Sequence, residues 1–203
     1  MGIAGVILAG GRSSRMGGAD KAFALLGGEP LLLHAARRMR ESGVEAIAVS
    51  SNADPARLAG FGLEILPDAF PDRPGPLAGL HVGLCWAAWL GAETLFTAPV
   101  DTLFYPLDAP ARLAEAAGPG GIAVSGSGGR RHPIVALWPV ALAERLEAHL
   151  ASGGSRRVND FIDARPHAEV EFTAGSGAVD PFFNINRPAD LAEAERLLGG
   201  QGL

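Results

Sequence analysis

The chain has 203 residues, of which 48% are hydrophobic, and its 17 Lys and Arg against 22 Asp and Glu give a formal net charge of −5. This length and core content favour one α/β domain over two small ones. The acidic balance argues against a nucleic-acid partner, which normally requires a basic face, but a local cluster of cations still allows a small anionic substrate.

Apolar β-type runs alternate with longer helical patterns in the first half, as in a parallel sheet covered by helices on both faces. The uninterrupted apolar run at 3–8 is typical of a central parallel strand. The segment 67–76 holds four prolines and two aspartates, and it is predicted to be a shaped loop. The other predicted elements of this half are strands at 46–49, 63–66 and 94–98 and helices at 30–42 and 77–90.

The alternation of strand and helix patterns is less regular after residue 101. Two strands at 121–125 and 133–137 flank the glycines of 126–129, and they predict an antiparallel excursion at the edge of an otherwise parallel sheet. No internal repeat or low-complexity linker interrupts the chain, so we predict a single α/β domain, 1–203, of three-layer Rossmann-like form. The remaining predicted elements are helices at 109–117, 140–151, 155–162 and 188–198 and a last strand at 182–185.

A glycine-rich segment, LAGGRSSRMGGADKA at 8–22, directly follows the first predicted strand. Gly10 and Gly11 allow the backbone to approach a bound group closely, and exposed N–H groups in such a loop form an anion-binding concavity. Arg15 and Lys21 add cations, so phosphates are the expected ligand. A tight turn with solvated arginines is the alternative. The segment matches neither a Walker A loop nor the dinucleotide fingerprint.

Lys21 is notable for its residue type as well as for its position in the chain. Sixteen of the 17 cationic residues are arginines, and Lys21 is the only lysine. A compact ammonium fits among phosphate oxygens where a broad guanidinium would not. Its occurrence in the glycine-rich segment therefore favours a phosphate-binding role.

Asp101 ends the apolar strand at 94–98 and the Pro-Val pair that follows it. Carboxylates at the carboxyl ends of parallel strands face the crevice in which open α/β sheets bind ligands. Mg²⁺ is commonly held there by one or two carboxylates together with substrate phosphates. Asp101 is therefore a candidate Mg²⁺ ligand, and the alternative is a turn or helix cap.

Two further features concern the environment of the chain. The N-terminal residues lack the basic leader and cleavage site of a signal peptide, and the apolar run at 77–92 is too short to span a bilayer. We therefore expect a cytoplasmic protein with no membrane partner. The single cysteine, Cys85, excludes an internal disulfide and a cysteine-based metal site, and it is predicted to be a buried thiol.

The motifs together resemble those of the molybdenum cofactor guanylyltransferases, the MobA-like family of nucleotidyltransferases. The similarity extends from Gly5 to about Leu198, and the first motif alone is shared with many nucleotidyltransferases. The motifs are LAGGRSSRMGGADK (8–21), FPDRPGPLAGL (70–80), PVDT (99–102), RHPIVAL (131–137), GGSRRVNDF (153–161) and FFNINRPADL (182–191).

The resemblance implies a nucleotide-diphospho-sugar transferase-like fold and transfer of GMP from GTP to the molybdopterin phosphate, with release of pyrophosphate. It implies Mg²⁺ as cofactor, a nucleotide-binding half of about 1–105 and an acceptor-binding half of about 106–203. Transient contact with proteins that deliver or receive the cofactor is also expected. The implied nucleotide-binding residues are Leu8, Ala9, Gly10, Gly11, Lys21, Asn52, Asp68 and Asp101, and the implied acceptor-binding residues are Arg156, Asn184 and Asn186.

The implied chemistry needs no protein nucleophile, because an acceptor phosphate oxygen attacks the α-phosphorus in line. Arg15, Lys21 and Asp101 are the expected catalytic residues, acting by positioning and charge neutralisation. His132 is expected to be structural or to contact the pterin. Three alternatives stay open: a molybdopterin cytidylyltransferase, a sugar-phosphate nucleotidyltransferase and a non-catalytic nucleotide-binding regulator. The family resemblance of LAGG to the guanine enzymes favours GTP.

Overall fold

The computed structural model describes residues 2–10, 20–70, 75–173 and 179–200. Strands β1 (Ile3–Leu8), β4 (Ala46–Ser50), β5 (Glu64–Leu66), β6 (Thr94–Pro99), β7 (Ile122–Ser127), β8 (Arg130–Pro139) and β9 (His167–Glu171) form one seven-stranded sheet, and β2 (Leu25–Leu26) and β3 (Glu29–Pro30) form a small antiparallel pair. The α-helices are α1 (Leu31–Glu41), α2 (Pro55–Leu58), α3 (Pro76–Trp89), α4 (Ala109–Ala117), α5 (Ala143–Ala151), α6 (Val158–Asp163) and α7 (Pro188–Gly200).

The strand order is β5-β4-β1-β6-β8-β7-β9. Strands β5, β4, β1 and β6 are mutually parallel, and β8 is antiparallel to both β6 and β7. Because β7 opposes β8, β7 runs in the same direction as β6, and β9 pairs with it in parallel. Six strands of the sheet therefore share one direction, and the sheet includes strands from both the first and the second half of the chain.

The predicted position of the antiparallel excursion was wrong. Strand β8 lies inside the sheet, between β6 and β7, and β9 forms the edge. β9 was missed because its sequence, HAEVE, is half exposed and carries only two aliphatic side chains. An edge strand that is covered on one face needs few apolar side chains, so its sequence pattern is short and weak.

The predicted strand at 182–185 was also wrong. This stretch makes one isolated antiparallel bridge, between Thr102 and Asn184, and no ladder. The buried Phe182 and Ile185 supply the apolar signal that suggested a strand, but they pack into the core from an irregular segment. The predicted helix at 155–162 begins later than expected, at Val158.

Two hydrophobic clusters cover the two faces of the sheet. One contains buried residues of α1, α4 and α7, and the other contains buried residues of α3, α5 and α6. The result is the three-layer α/β arrangement that the sequence predicts. Within the described residues, no helix is both long enough and apolar enough to cross a membrane. Cytoplasmic location stays a prediction of the sequence.

Cys85 is exposed, which corrects the prediction of a buried thiol. It lies on α3, whose apolar residues are spread around the helix, so the sequence does not show which face points outward. The Sγ atom of Cys85 lies 3.6 Å from Nε2 of the buried His81, one turn earlier. Partial desolvation of Sγ raises the pKa of the Cys85 thiol, and burial lowers the pKa of His81, so both groups are neutral near pH 7.

Glycines allow α3 to lie very close to the sheet. A Cβ atom on Gly79 would lie 2.6 Å from Oγ of Ser50 and 2.9 Å from Cδ2 of Leu8. A Cβ atom on Gly83 would lie 3.0 Å from Val6 and from Leu95. A side chain at Gly79 would push α3 away from the ends of β1 and β4, and one at Gly83 would push it away from β1 and β6.

We predict that Gly79→Ala destabilises the protein by about 1–3 kcal/mol, the usual cost of overpacking a core. Helix propensity alone would favour alanine by up to about 1 kcal/mol, so the sign of the effect reports the close packing. The control is Gly199→Ala in α7, where a Cβ atom would meet nothing within 4 Å. Urea unfolding of both variants tests this, and a stabilised Gly79→Ala variant would contradict it.

Candidate active site

The last residues of four parallel strands lie side by side at one edge of the sheet. In register, Leu66 of β5 pairs with Ser50 of β4, Ser50 pairs with Leu8 of β1, and Leu8 pairs with Pro99 of β6. Backbone hydrogen bonds continue this alignment past the strands, from the Ala9 N–H to Ser50 at 2.9 Å and from the Val100 N–H to Leu8 at 3.1 Å. The segments that follow the four strands therefore emerge together.

Lys21 and Asp101 meet at this edge. The ammonium group of Lys21 donates to Oδ2 of Asp101 at 2.6 Å and to Oδ1 of Asn186 at 2.6 Å. The two charged side chains are 19% and 15% exposed, so the pair is shielded but reachable from solvent. Lys21 begins a short 3₁₀ turn, Lys21–Phe23, and Asp20 caps that turn by accepting from the Ala22 N–H at 3.1 Å. Lys21, near the end of the glycine-rich segment, therefore lies at the strand ends.

A segment that we call the asparagine segment, residues 180–187, crosses the end of β6. The Ile185 N–H donates to the carbonyl of Asp101 at 2.9 Å, and the hydroxyl of the buried Thr102 donates to Oδ1 of Asn184. Both predicted acceptor-binding asparagines therefore contact the strand end that carries Asp101 or the lysine beside it. Sequence reasoning did not single out Thr102, although it stands directly after the candidate metal ligand.

The asparagine segment is also fixed to α7. The carboxylate of Asp190 accepts from the N–H groups of Asn186 and Arg187, each at 2.8 Å. A carboxylate in the first turn of a helix suits the free N–H groups there. Oδ1 of Asn186 accepts from Lys21, and no hydrogen bond between described residues joins this oxygen to an N–H group of α7.

Asn52 and Asp68 form a second polar pair beside the first. The Asn52 amide donates to Oδ2 of Asp68 at 2.7 Å, and the Asp68 N–H donates to Oδ1 of Asn52 at 3.1 Å. The buried Ser50 hydroxyl lies 3.4 Å from Oδ1 of Asp68, at the long limit of a hydrogen bond. These contacts orient the carboxylate of Asp68 and leave part of its acceptor capacity open.

Arg156 is exposed and precedes α6. Val158 lines a small apolar cavity with Leu8 and Pro76, so α6 begins near the end of β1 but on the α3 face of the sheet. The asparagine segment packs on the other face. No hydrogen bond or ion pair between described residues joins Arg156 to Asn184 or Asn186, so the predicted acceptor set is only partly brought together.

Leu8, Ala9 and Gly10 lie at the end of β1, and Gly10 is exposed. Gly11 and Arg15 lie outside the described residues. His132 is buried, and burial lowers its pKa against the opposing effect of the Asp180 carboxylate. The imidazole is therefore neutral near pH 7, and the role expected for His132, structural or in contact with the pterin, stays a prediction.

Carboxylates are sparse around the candidate metal ligand. Within the described part of the chain, no group of three or more His, Cys, Asp or Glu side chains is arranged to hold a metal ion. Asp101 is thus a single carboxylate paired with a lysine. Such a site suits an ion that brings most of its ligands with a bound phosphate compound.

The polar residues gather at the carboxyl edge of the parallel strands, which is the edge where open α/β sheets commonly bind nucleotides and other ligands. The family model described as MobA-like NTP transferase domain matches residues 5–168. The chain therefore belongs to the MobA-like NTP transferase family, a family of nucleotidyltransferases.

Two curated relatives are similar over nearly the whole chain. A molybdenum cofactor guanylyltransferase of Mesorhizobium japonicum is 48% identical over 200 residues, covering 97% of this chain and 96% of that protein. Another of the same name, from Cereibacter sphaeroides, is 51% identical over 194 residues, covering 96% of each.

Solved structures agree on the fold. The molybdopterin-guanine dinucleotide biosynthesis protein A of Archaeoglobus fulgidus superposes with a TM-score of 0.73, at 20% identity, over 98% of this chain and 100% of that one. A nucleotidyl transferase of Methanothermobacter superposes with a TM-score of 0.76, at 19% identity, over 98% of this chain and 99% of that one. The fold is therefore that of the nucleotide-diphospho-sugar transferases.

We predict that Thr102→Val, which keeps the shape of the side chain, lowers the free energy of unfolding by about 1 kcal/mol. The reason is that it removes the hydroxyl donor to Asn184 inside a buried contact. Thr94→Val at the half-exposed start of β6, the strand that precedes Thr102, is the control, since water can replace a partner there. Equal urea midpoints for the two variants would show that the Thr102 hydroxyl contributes nothing.

Proposed function

We propose that this chain transfers GMP from GTP to the phosphate of molybdopterin and releases pyrophosphate. The relatives named as molybdenum cofactor guanylyltransferases support the proposal, because they match nearly the whole chain at about half identity. The observation that carries it is the convergence of Lys21, Asp101 and Asn186 at the carboxyl edge of the sheet. This contact joins the phosphate-binding segment, the candidate metal ligand and the candidate acceptor segment.

We propose Mg²⁺ as the cofactor, held by Asp101 together with triphosphate oxygens. The residues present fit this ion, because Mg²⁺ is commonly bound by one or two carboxylates plus substrate phosphates and water. When bound, the ion neutralises charge on the triphosphate. Lys21 lies within hydrogen-bond distance of Asp101, so it is placed to reach the same phosphate oxygens.

The chain acts in this proposal by holding two substrates in line. An acceptor phosphate oxygen forms the new bond to the α-phosphorus, and the bond to the pyrophosphate oxygen breaks on the opposite side. The exposed Gly10, with Gly11 and Arg15 beyond it, would bind the phosphates, and Lys21 would stabilise the developing negative charge. No protein group forms a covalent intermediate.

Recognition of the two substrates divides between the two polar groups. We assign the nucleoside to Asn52 and Asp68, whose oriented carboxylate has free acceptor capacity for N–H groups of guanine. We assign the acceptor to Asn184 and Asn186, whose carbonyl oxygens accept from Thr102 and Lys21 and whose amide N–H groups are left as donors for a ligand. Arg156 would add a cation on the opposite face of the crevice.

The test is incubation with Mg²⁺ and each of four nucleoside triphosphates, with and without molybdopterin. We expect pyrophosphate release that needs molybdopterin and strongly prefers GTP, because a site built for the edge of guanine leaves buried polar groups unpaired with other bases. Comparable kcat/KM for CTP would favour the cytidylyltransferase alternative. Binding of GTP without transfer would favour a regulator.

We predict that Asp101→Asn keeps the fold but lowers transfer by at least about 100-fold at saturating Mg²⁺, because a neutral amide is a poor Mg²⁺ ligand. The control is Asp108→Asn, which makes the same charge change at an exposed position that caps no N–H group. Steady-state kinetics and a thermal melt of both variants measure the effect. Turnover of Asp101→Asn within a few-fold of wild type would remove Asp101 from the proposed metal site.

Lys21 yields a prediction that needs no acceptor. Its ammonium group donates to the carboxylate of Asp101 and would compete with a cation there, so we expect Lys21→Met to bind Mn²⁺ alone about tenfold more tightly than wild type. Lys21→Arg keeps the charge and should bind Mn²⁺ as weakly as wild type, yet fail to restore transfer. Mn²⁺ titration followed by electron paramagnetic resonance tests the first statement, and equal affinities in all three proteins would refute it.

A further inference from the structure

Three side chains meet at the end of β7, beyond the site described above. Ser127 is the last residue of β7, His132 is the third residue of β8, and Asp180 begins the asparagine segment. The Ser127 hydroxyl lies 2.9 Å from Nε2 of His132 and donates to Oδ1 of Asp180 at 2.8 Å. Ser127 and His132 are 6% and 8% exposed, whereas Asp180 lies at the surface.

The number of available protons fixes the direction of these hydrogen bonds. A serine hydroxyl has one proton, and the carboxylate of Asp180 can only accept, so the hydroxyl proton lies toward Asp180. The Ser127 oxygen therefore accepts from the Nε2–H of His132. His132 thereby orients the hydroxyl toward the carboxylate.

The arrangement is not that of a nucleophilic triad. In such a triad the carboxylate contacts the histidine, and the histidine accepts the proton of the serine. Here the carboxylate contacts the serine, and the serine proton is already donated. We call Ser127, His132 and Asp180 the clip, because their hydrogen bonds fix the asparagine segment to the ends of β7 and β8.

Asp180 passes the constraint on to the asparagine segment. Its Oδ1 also accepts from the Phe182 N–H at 2.8 Å, and its carbonyl accepts from the Phe183 N–H at 2.9 Å. The ring of the buried Phe182 packs against the ring of His132, with centroids 4.5 Å apart. The two N–H bonds fix the shape of residues 180–183, and the Ser127 bond and the ring contact fix these residues relative to the ends of β7 and β8.

The distance along the chain from this clip to the acceptor residues is short. Asn184 is two residues beyond Phe182 and Asn186 is four, and an extended residue spans at most about 3.6 Å. A shift of Asp180 would therefore be transmitted to both asparagines. Lys21 and Thr102 hold the other end of the same segment, on the nucleotide side.

We propose that Ser127 and Asp180 are positioning residues for the acceptor: their hydrogen bond sets where Asn184 and Asn186 present their amide donors to an anionic phosphate-bearing acceptor. The proposal rests on the proposed function for the identity of that acceptor. It assigns neither residue a contact with the nucleotide. Loss of the hydrogen bond between Ser127 and Asp180 should therefore raise KM for the acceptor and leave KM for GTP unchanged.

The first experiment compares two serines on β7. Ser127→Ala removes the clip, and Ser125→Ala removes a buried hydroxyl that has no hydrogen-bond partner among the described residues. We expect Ser127→Ala to raise KM for molybdopterin by about tenfold while KM for GTP stays within twofold, because a lost buried hydrogen bond displaces the segment. Ser125→Ala should match wild type. Equal acceptor KM in the two variants, or a parallel rise in KM for GTP, overturns the proposal.

The second experiment uses Asp180, the exposed member of the clip. Asp180→Asn keeps an oxygen that can accept from both Ser127 and Phe182, whereas Asp180→Ala removes it. We expect Asp180→Asn to retain the wild-type acceptor KM and Asp180→Ala to resemble Ser127→Ala. Identical behaviour of Asn and Ala at this position contradicts the positioning role.

A third measurement is independent of which acceptor the enzyme uses. The Ile185 N–H is protected by its bond to the carbonyl of Asp101, so hydrogen exchange of 182–187 reports the position of the segment. Exchange there should be faster in Ser127→Ala than in Ser125→Ala, with 3–8 unchanged. If wild type transfers nothing to molybdopterin, the proposed function fails and this exchange still decides the clip. Unchanged exchange at 182–187 overturns the inference.

Discussion

The contact of one ammonium group with two side chains holds the candidate site together. Lys21 donates to Asp101 and Asn186. Asp101 follows β6, the neighbour of β1 in the sheet, and Asn186 lies just before α7. Without a cation between them, a carboxylate and an amide oxygen would face each other with no donor. In the proposed function this ammonium group also binds the phosphates of a nucleotide, so substrate binding would rearrange the contacts of Lys21 with Asp101 and Asn186.

The reversed strand explains how a nucleotide-binding sheet acquires a second set of polar residues at the same edge. Because β8 opposes both β6 and β7, the end of β7 and the beginning of β8 lie at the edge where β1 and β6 end. Ser127 and His132 reach that edge from opposite chain directions. The asparagine segment then joins the two groups, with Asp180 at β7 and Asn186 at Lys21.

Much of this could be predicted from sequence, for identifiable physical reasons. Apolar strands such as 3–8 and 94–98 are buried on both faces, so their patterns are continuous, and the edge position of Asp101 follows from the ends of those strands. The irregular stretch at 182–185 shows the limit, because buried aromatic and β-branched residues look the same in a strand and in a packed loop. Thr102 and Ser127 could not be recognised, since their roles depend on partners 82 and 53 residues away.

The separation of Lys21 from Asn186 along the chain, 165 residues, also bears on how the protein assembles. Contacts between distant residues form late, because the loop they close costs entropy that earlier contacts must offset. During synthesis from the N-terminus, the strands that would bind a nucleotide emerge well before the segment that completes the site. A nascent or truncated chain could therefore present part of a nucleotide site, but it would lack the asparagines proposed to bind the acceptor.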